Sequence, residues 1–151
     1  MRAKGRLSIL LLLFMLPNLG CQKVAEPVEA KLWSSNVDQA LKRAVQESKP
    51  VLIDFGADWC KPCKRMHAEV FVDPTIDKRL RTEFIPVMID ATEMTPPIYK
   101  LVKEYRVGTL PTIIFLDPQG KFLSDQSLVG FTNLEKLHER FSEVTKLVAK
   151  R

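Results

Sequence analysis

The hydrophobic pattern of this chain alternates short apolar runs with amphipathic stretches, as expected for a sheet that is covered by helices. Three apolar runs, at residues 50–57, 84–90 and 112–116, predict buried strands. Residues 32–33 predict the start of a short first strand. Residues 121–129 predict a strand that returns antiparallel after a type I turn that begins at Asp117-Pro118. The sequence therefore predicts an α/β domain in which helices cover both faces of a mixed central sheet.

Amphipathic helices are predicted at both ends of this domain. The first has Ser35 or Asn36 as its N-cap and must end near Pro50. Its apolar face is predicted to consist of Val37, Ala40, Leu41, Ala44 and Val45. The last helix is predicted to begin with a capping box made by Thr132 and Glu135. Its apolar face is predicted to consist of Leu134, Leu137, Phe141, Val144 and Val148.

Two prolines mark the starts of helices in the middle of the chain. Asp73-Pro74 combines a preferred N-cap residue with proline at the first helical position, so a helix that begins after Cys60 should break near Phe71. Thr95-Pro96 predicts a further helix that runs to about Tyr105.

Residues 1–20 have the organisation of a signal peptide. Basic residues at Arg2, Lys4 and Arg6 precede an apolar run at residues 7–16, which is too short to cross a bilayer as a mature helix. We therefore expect export from the cytoplasm, to the periplasm or the cell envelope.

Gly20-Cys21 resembles a lipoprotein cleavage site, after which Cys21 would carry the lipid. Asn18 and Leu19 depart from the usual residues before such a cysteine, so a cleaved soluble protein and an uncleaved anchor stay as alternatives. Residues 21–31 mix Lys, Glu, Pro and Ala without periodicity and predict a tether. The folded domain is then expected to cover residues 32–151.

The net charge of +5 changes little about the expected partners. Three of the 23 basic residues lie in the predicted signal peptide, and their removal leaves a charge of about +2. The other basic residues are scattered among acidic ones, so no nucleic-acid partner is expected.

The candidate chemistry lies in residues 51–64, where a buried strand leads into Cys60-Lys61-Pro62-Cys63. Two cysteines three residues apart in a first helical turn can form a disulfide, and the helix N-terminus favours a thiolate at Cys60. A structural bridge would close only a short loop, a zinc site needs more ligands, and haem attachment needs a histidine after the second cysteine. The pattern indicates a redox dithiol in which Cys60 attacks and Cys63 resolves.

Several segments carry a resemblance to thioredoxins. Asp54 precedes Trp59-Cys60, Lys64 follows the motif, and residues 108–112 read Gly-Thr-Leu-Pro-Thr. The segments at 57–60, 71–74, 89–92 and 128–131 are more similar to the C-terminal periplasmic domain of DsbD-type thiol:disulfide interchange proteins and to stand-alone thioredoxin-like lipoproteins. The resemblance covers roughly residues 31–148 and implies a thioredoxin fold, with no cofactor beyond the dithiol.

The resemblance also implies roles for residues outside the cysteine motif. Asp54 interrupts an apolar run and is expected to exchange a proton with Cys63, although a side chain at the solvent edge of the strand is the alternative. Pro111 corresponds to the family's cis-proline, or is an ordinary proline at a strand start. Leu110 would then offer its backbone to a substrate peptide. Trp59 is expected to serve packing, partner contact or both.

His67 departs from the family, which often has an acidic residue four positions after the second cysteine. It is a partly exposed helix histidine, a residue that tunes the thiols, or a soft-metal ligand together with Cys60 and Cys63.

The resulting hypothesis is an exported protein-disulfide reductase that exchanges disulfides with envelope proteins and receives electrons from a membrane or thioredoxin-like donor. The alternatives are an oxidase or isomerase, and a metal-handling module.

Overall fold

The computed structural model of the protein describes residues 32–150. The helices in this part of the chain are α1 (Val37–Glu47), α2 (Lys61–Glu69), α3 (Pro74–Glu83), α4 (Pro96–Glu104) and α5 (Leu134–Ala149). The strands are β1 (Val51–Gly56), β2 (Ile85–Asp90), β3 (Thr112–Leu116) and β4 (Leu128–Val129), and a short 3-10 helix (Ser124–Gln126) precedes β4.

The four strands form a mixed sheet in the order β2-β1-β3-β4. Strand β1 runs parallel to β2, with Val51 opposite Ile85, and antiparallel to β3, with Val51 opposite Leu116. Strand β4 extends the sheet beyond β3 in the antiparallel sense. All six residues of β1 are buried, which explains why this strand reads as a continuous apolar run with one aspartate in it. The predicted α/β class with a mixed sheet is confirmed.

Helices cover both faces of the sheet. Successive side chains of β1 point to opposite faces, so this strand contributes to a separate core on each side. Leu52 packs into a core that also contains buried residues of α2, α3 and α5, such as Met66, Leu80 and Phe141. Ile53 packs into a second core, which contains Ala44 of α1 and is bordered by residues of α4. The site described below lies at the carboxyl end of β1, on the face covered by α2.

Most helix starts follow the prediction. The side chain of Asn36 accepts a hydrogen bond from the backbone N–H of Gln39 and caps α1. Asp73 caps α3 by accepting from the backbone N–H groups of Thr75 and Ile76. Because Asp73-Pro74 starts α3, the preceding helix ends at Glu69, as predicted.

The predicted capping box of the last helix is wrong. Asn133, not Thr132, caps α5, and its side chain accepts from the backbone N–H of Lys136. Thr132 is 2% exposed and its hydroxyl donates to the carbonyl of Gly130. Asn133 is at least as good an N-cap residue as threonine, and the buried position of Thr132 leaves the cap to its neighbour.

Two predicted strands are shorter than expected. The first is reduced to one parallel bridge between Ser34 and Val87. The segment at 121–129 contains a bridge from Phe122 to Leu116, then the 3-10 helix, and only the two residues of β4. The turn before it is present, since the N–H of Gly120 donates to the carbonyl of Asp117.

Two residues predicted to face the core lie on the surface. Val45 at the end of α1 is 60% exposed, and Leu134 in the first turn of α5 is 36% exposed. Val45 lies in the last turn of α1, and Leu134 is the first residue of α5. The predicted signal peptide at 1–20, the lipidation of Cys21 and the tether at 21–31 lie outside the described residues. Among residues 32–150, no helix has the length and apolar character needed to cross a bilayer.

Candidate functional site

Cys60 and Cys63 form a disulfide where the loop after β1 enters α2. The S–S distance is 2.02 Å and the two Cα atoms are 5.3 Å apart. Cys60 is the N-cap of α2, Lys61 is its first residue and Pro62 follows in the first turn. The position that a Cβ atom on Gly56 would occupy lies 3.7 Å from Sγ of Cys63, so the end of β1 touches the second cysteine.

The two cysteines are buried to a similar degree, but their sulfurs have different polar neighbours. Cys60 is 4% exposed and Cys63 is 3% exposed, so exposure does not distinguish them in the disulfide form. The backbone N–H of Cys63 points at Sγ of Cys60 with an N–S distance of 3.2 Å. This N–H and the helix N-terminus would both stabilise a thiolate at Cys60. Lys61 has an exposed side chain.

Asp54 lies in the middle of β1 and is 1% exposed. Its Oδ2 atom is 2.9 Å from Nε2 of His67, whose side chain is 33% exposed. Its Oδ1 atom is buried and has no hydrogen-bond partner among the described residues. The structure therefore places Asp54 inside the protein rather than at the solvent edge of the strand.

His67 lies one turn after Cys63 on the same face of α2. Its ring packs against Phe71, with ring centroids 5.1 Å apart, and against Trp33 at 6.2 Å. It borders a cleft of about 250 Å³, called the His67 cleft here. The cleft is lined by Gly56, Ala57, Asp58, Cys63, Lys64, His67, Met88, Ile89 and Asp90.

Leu110, Pro111 and Trp59 lie on the other side of the disulfide. The Leu110-Pro111 peptide bond is cis, as the resemblance implies, and Leu110 packs against the cluster formed by Ala57 and the two cysteines. Trp59 is 66% exposed. A groove of about 360 Å³, called the Trp59 groove here, runs beside them. It is lined by Trp59, Ala91, Met94, Val102, Val107, Gly108, Thr109 and Leu110.

Thr92 and Asp90, for which no role was predicted from the sequence, hold the loop before Cys60 in place. The Thr92 hydroxyl accepts from the backbone N–H of Asp58 at 2.8 Å, and the Thr92 carbonyl accepts from Nε1 of Trp59 at 3.4 Å. Asp90 in turn accepts from the hydroxyl and backbone N–H of Thr92, and the hydroxyl bond lowers the pKa of Asp90. Only the Asp-x-Thr spacing hints at this turn.

A metal site, one of the alternatives for His67, would require Cys60, Cys63 and His67 to surround one ion. Within residues 32–150, no group of three or more His, Cys, Asp or Glu side chains is arranged to hold a metal ion. His67 contacts Asp54, and the two cysteines contact each other.

Comparison with known proteins agrees with this geometry. A family model described as a thioredoxin-like domain matches residues 37–145. The thiol:disulfide interchange protein DsbD 1 of Pseudomonas aeruginosa is 37% identical over 106 residues, which are 70% of this chain and 18% of that protein. A DsbD of Vibrio vulnificus is 34% identical over 109 residues, again 18% of its length. The chain thus spans about a fifth of the length of these relatives.

A solved structure matches a much larger share. The C-terminal domain of Neisseria meningitidis DsbD in the oxidised form superposes with a TM-score of 0.63 and 28% sequence identity. The match covers 74% of this chain and 97% of that domain. The similarity is therefore to one domain of the DsbD proteins.

Proposed function

Because the chain belongs to the thioredoxin-like family of thiol:disulfide oxidoreductases, we propose that it acts as a reductase of disulfide-bearing proteins in the cell envelope. One observation carries this proposal: the Cys60–Cys63 disulfide lies in the first turn of α2, with Cys60 as N-cap and the buried Asp54 beneath the same helix. A disulfide placed there can open and close without unfolding the domain.

The reaction begins with the reduced dithiol. The Cys60 thiolate attacks one sulfur of a partner disulfide, and the other partner sulfur leaves as a thiolate that takes a proton from water. Cys63 then gives its proton to Asp54 and attacks Sγ of Cys60. The Cys60–Cys63 bond forms, the Cys60–partner bond breaks, and two electrons have passed to the partner.

The surroundings of Cys60 support the reducing direction. A strong oxidant depends on extreme stabilisation of its thiolate. Here Lys61 extends into solvent, Pro62 has no N–H to donate, and a carboxylate at Asp54 would oppose negative charge on the sulfurs. Among residues 32–150, the backbone N–H of Cys63 is the one hydrogen-bond donor to Sγ of Cys60. The disulfide is thus the comparatively stable state, and the dithiol gives up its electrons readily.

Substrate contact is assigned to the side of the disulfide that carries Leu110 and Trp59. An extended peptide would pair with the backbone of Leu110 beside Pro111 and place a side chain in the Trp59 groove. Trp59 is 66% exposed, which suits a residue that becomes covered when a partner binds.

The proposed location and electron supply are supported by the sequence of residues 1–31 alone. A signal peptide at residues 1–20 and lipidation at Cys21 would hold the domain at a membrane, within reach of a membrane donor of electrons. A thioredoxin-like donor is the other source that the chemistry allows, because it too regenerates the dithiol by disulfide exchange.

Trapping of mixed disulfides tests the proposal. A Cys63→Ala variant should accumulate mixed disulfides with envelope proteins through Cys60, because the resolving thiol is missing. The Cys60→Ala variant is the matched control and should trap almost none. Mass spectrometry of the non-reduced adducts identifies the partners. Equal trapping by both variants would reject the roles assigned to the two cysteines.

A further inference from the structure

His67 connects the buried carboxyl of Asp54 to the protein surface. Its Nε2 atom is 2.9 Å from Oδ2 of Asp54, which is 1% exposed, whereas the His67 side chain is 33% exposed. One end of the ring therefore contacts a carboxyl that water does not reach, and the rest of the ring borders the His67 cleft.

The same carboxyl lies under the helical turn that joins Cys63 to His67. Gly56, the last residue of β1, contacts Cys63, and Asp54 is two residues earlier on the same face of that strand. His67 is one turn after Cys63 on the facing side of α2. With Oδ2 held by His67, the buried Oδ1 atom has no hydrogen-bond partner among residues 32–150. It is the oxygen left to accept a proton.

Building on the proposed reductase function, we propose that His67 is a positioning residue for the second step of exchange. It fixes Oδ2 of Asp54 and leaves Oδ1 to take the proton of Cys63. The proton moves from Sγ of Cys63 to Asp54 while the Cys63 thiolate attacks Sγ of Cys60. The partner sulfur leaves with the bonding electron pair.

The hydrogen bond between His67 and Asp54 holds the carboxyl in this orientation. A ring that donates through Nε2 fixes Oδ2 of Asp54, whereas an apolar side chain at position 67 would remove this partner. A side chain that keeps an N–H donor should therefore support resolution, and an apolar one should slow it.

The test follows the two steps separately with dithiobis(nitrobenzoate) as a disulfide probe. The first coloured thiolate reports the attack by Cys60, and the second reports resolution by Cys63. His67→Leu removes the N–H donor, and His67→Gln keeps a donor that does not titrate. His138→Gln, at the other histidine of the chain, is the matched control, because His138 bonds Thr75 and Arg79, which belong to α3.

We expect His67→Leu to slow resolution by about tenfold, while the first attack changes by less than about twofold. The effect is smaller than a whole general-base contribution of about a hundredfold or more, because Asp54 itself stays in place. His67→Gln keeps an N–H donor and should resolve within about threefold of the wild-type rate. His138→Gln should resolve at the wild-type rate.

Resolution in His67→Leu at the wild-type rate, or equally slow resolution in His67→Gln and His67→Leu, would overturn the role of His67, even if reduction of the probe proceeds normally. If His67→Leu does not fold, slow resolution in His67→Gln with a normal first attack overturns the role on its own. Failure of the wild-type dithiol to reduce the probe at all would instead reject the proposed function.

Discussion

At the scale of single residues, the site depends on a carboxyl in an unusual place. Asp54 interrupts the apolar residues of β1, and its burial at 1% exposure would be costly without a partner. Contact with His67 satisfies one of its oxygens and leaves the other free for chemistry. A buried carboxyl with this arrangement is better explained by a role in chemistry than by a role in stability.

Replacing Asp54 with Asn tests its part in proton transfer. The variant should fold and still form the Cys60–Cys63 disulfide, because the amide has nearly the same size and retains polar atoms for His67. Exchange near neutral pH should slow by about tenfold to a hundredfold, since the amide cannot accept the proton of Cys63. Stopped-flow exchange rates measured from about pH 6 to about pH 9 check this expectation. Rates equal to those of the wild type would place Asp54 outside the mechanism.

The residues of the candidate site could be predicted from the sequence, but their contacts could not. The burial of Asp54 could be predicted, because an aspartate inside an apolar run has few exposed positions open to it. Its contact with His67 could not, since it joins residues 13 apart through the packing of α2 on β1. The N–H that Cys63 directs at Sγ of Cys60 likewise depends on the cap geometry.

At the scale of secondary-structure elements, the loop before α2 is fixed by the end of β2. Asp90 orders Thr92, and Thr92 accepts hydrogen bonds from Asp58 and Trp59 just before Cys60. Strands β1 and β2 are parallel neighbours, so their carboxyl ends meet at one edge of the sheet. The tie between the two loops therefore sets the position from which Cys60 meets a partner.

Substituting Thr92 with Val removes the hydroxyl that links Asp90 to Asp58. We expect a loss of about 1 kcal/mol in the free energy of unfolding and faster hydrogen exchange at the Asp58 amide. Thr82→Val is the matched control, because the Thr82 hydroxyl, within the described part of the chain, bonds the Lys78 carbonyl of its own helix α3. Chemical denaturation and amide exchange measured by NMR provide the two values. A stable variant with an unchanged Asp58 amide would show that this tie is unimportant.

The same substitution has a predicted pH dependence. The Thr92 hydroxyl lowers the pKa of Asp90 below its ordinary value of 3.8. A carboxyl whose folded pKa is lowered stabilises the protein above its unfolded pKa and loses that effect as pH falls through the folded pKa. The stability difference between wild type and Thr92→Val should therefore shrink as pH falls below 3.8. A stability difference that does not change with pH would show that the effect of the Thr92 hydroxyl is independent of the ionisation of Asp90.

The elements that sequence analysis predicted best are those with continuous burial. Strand β3 has the predicted bounds, β1 is one residue shorter than predicted at each end, and β2 is one residue shorter at its start. The strand predicted at 121–129 was too long. Its alternating residues are compatible with a strand and also with the 3-10 helix that lies within this segment. The bridge at Ser34 depends on pairing with Val87, which is distant in sequence.

At the scale of the whole molecule, the proposed role places a thioredoxin-like domain at a membrane. The chain matches 18% of the length of a DsbD protein, and the proposed function adds an anchor and a donor of electrons to this domain. A lipid on Cys21 would provide the anchor.

Cys21→Ser tests the anchor. If Cys21 carries a lipid, this variant should remain an unprocessed precursor in the host and should not incorporate labelled fatty acid, whereas the wild type should do so. Fractionation of the envelope and mass spectrometry of the N-terminus provide the readout. A wild-type protein that is released in soluble form, with an N-terminus beyond residue 21, would refute lipidation.

The direction of electron flow is the central claim, and the reduction potential of the Cys60–Cys63 pair tests it most directly. The protein is equilibrated with glutathione or thioredoxin of known ratio, and its free thiols are counted by alkylation and mass spectrometry. We expect a potential of roughly −220 to −280 mV, on the thioredoxin side of the range for this fold and far from the about −120 mV of a strong oxidant. A potential above about −170 mV would contradict the reductase assignment and favour an oxidase or isomerase.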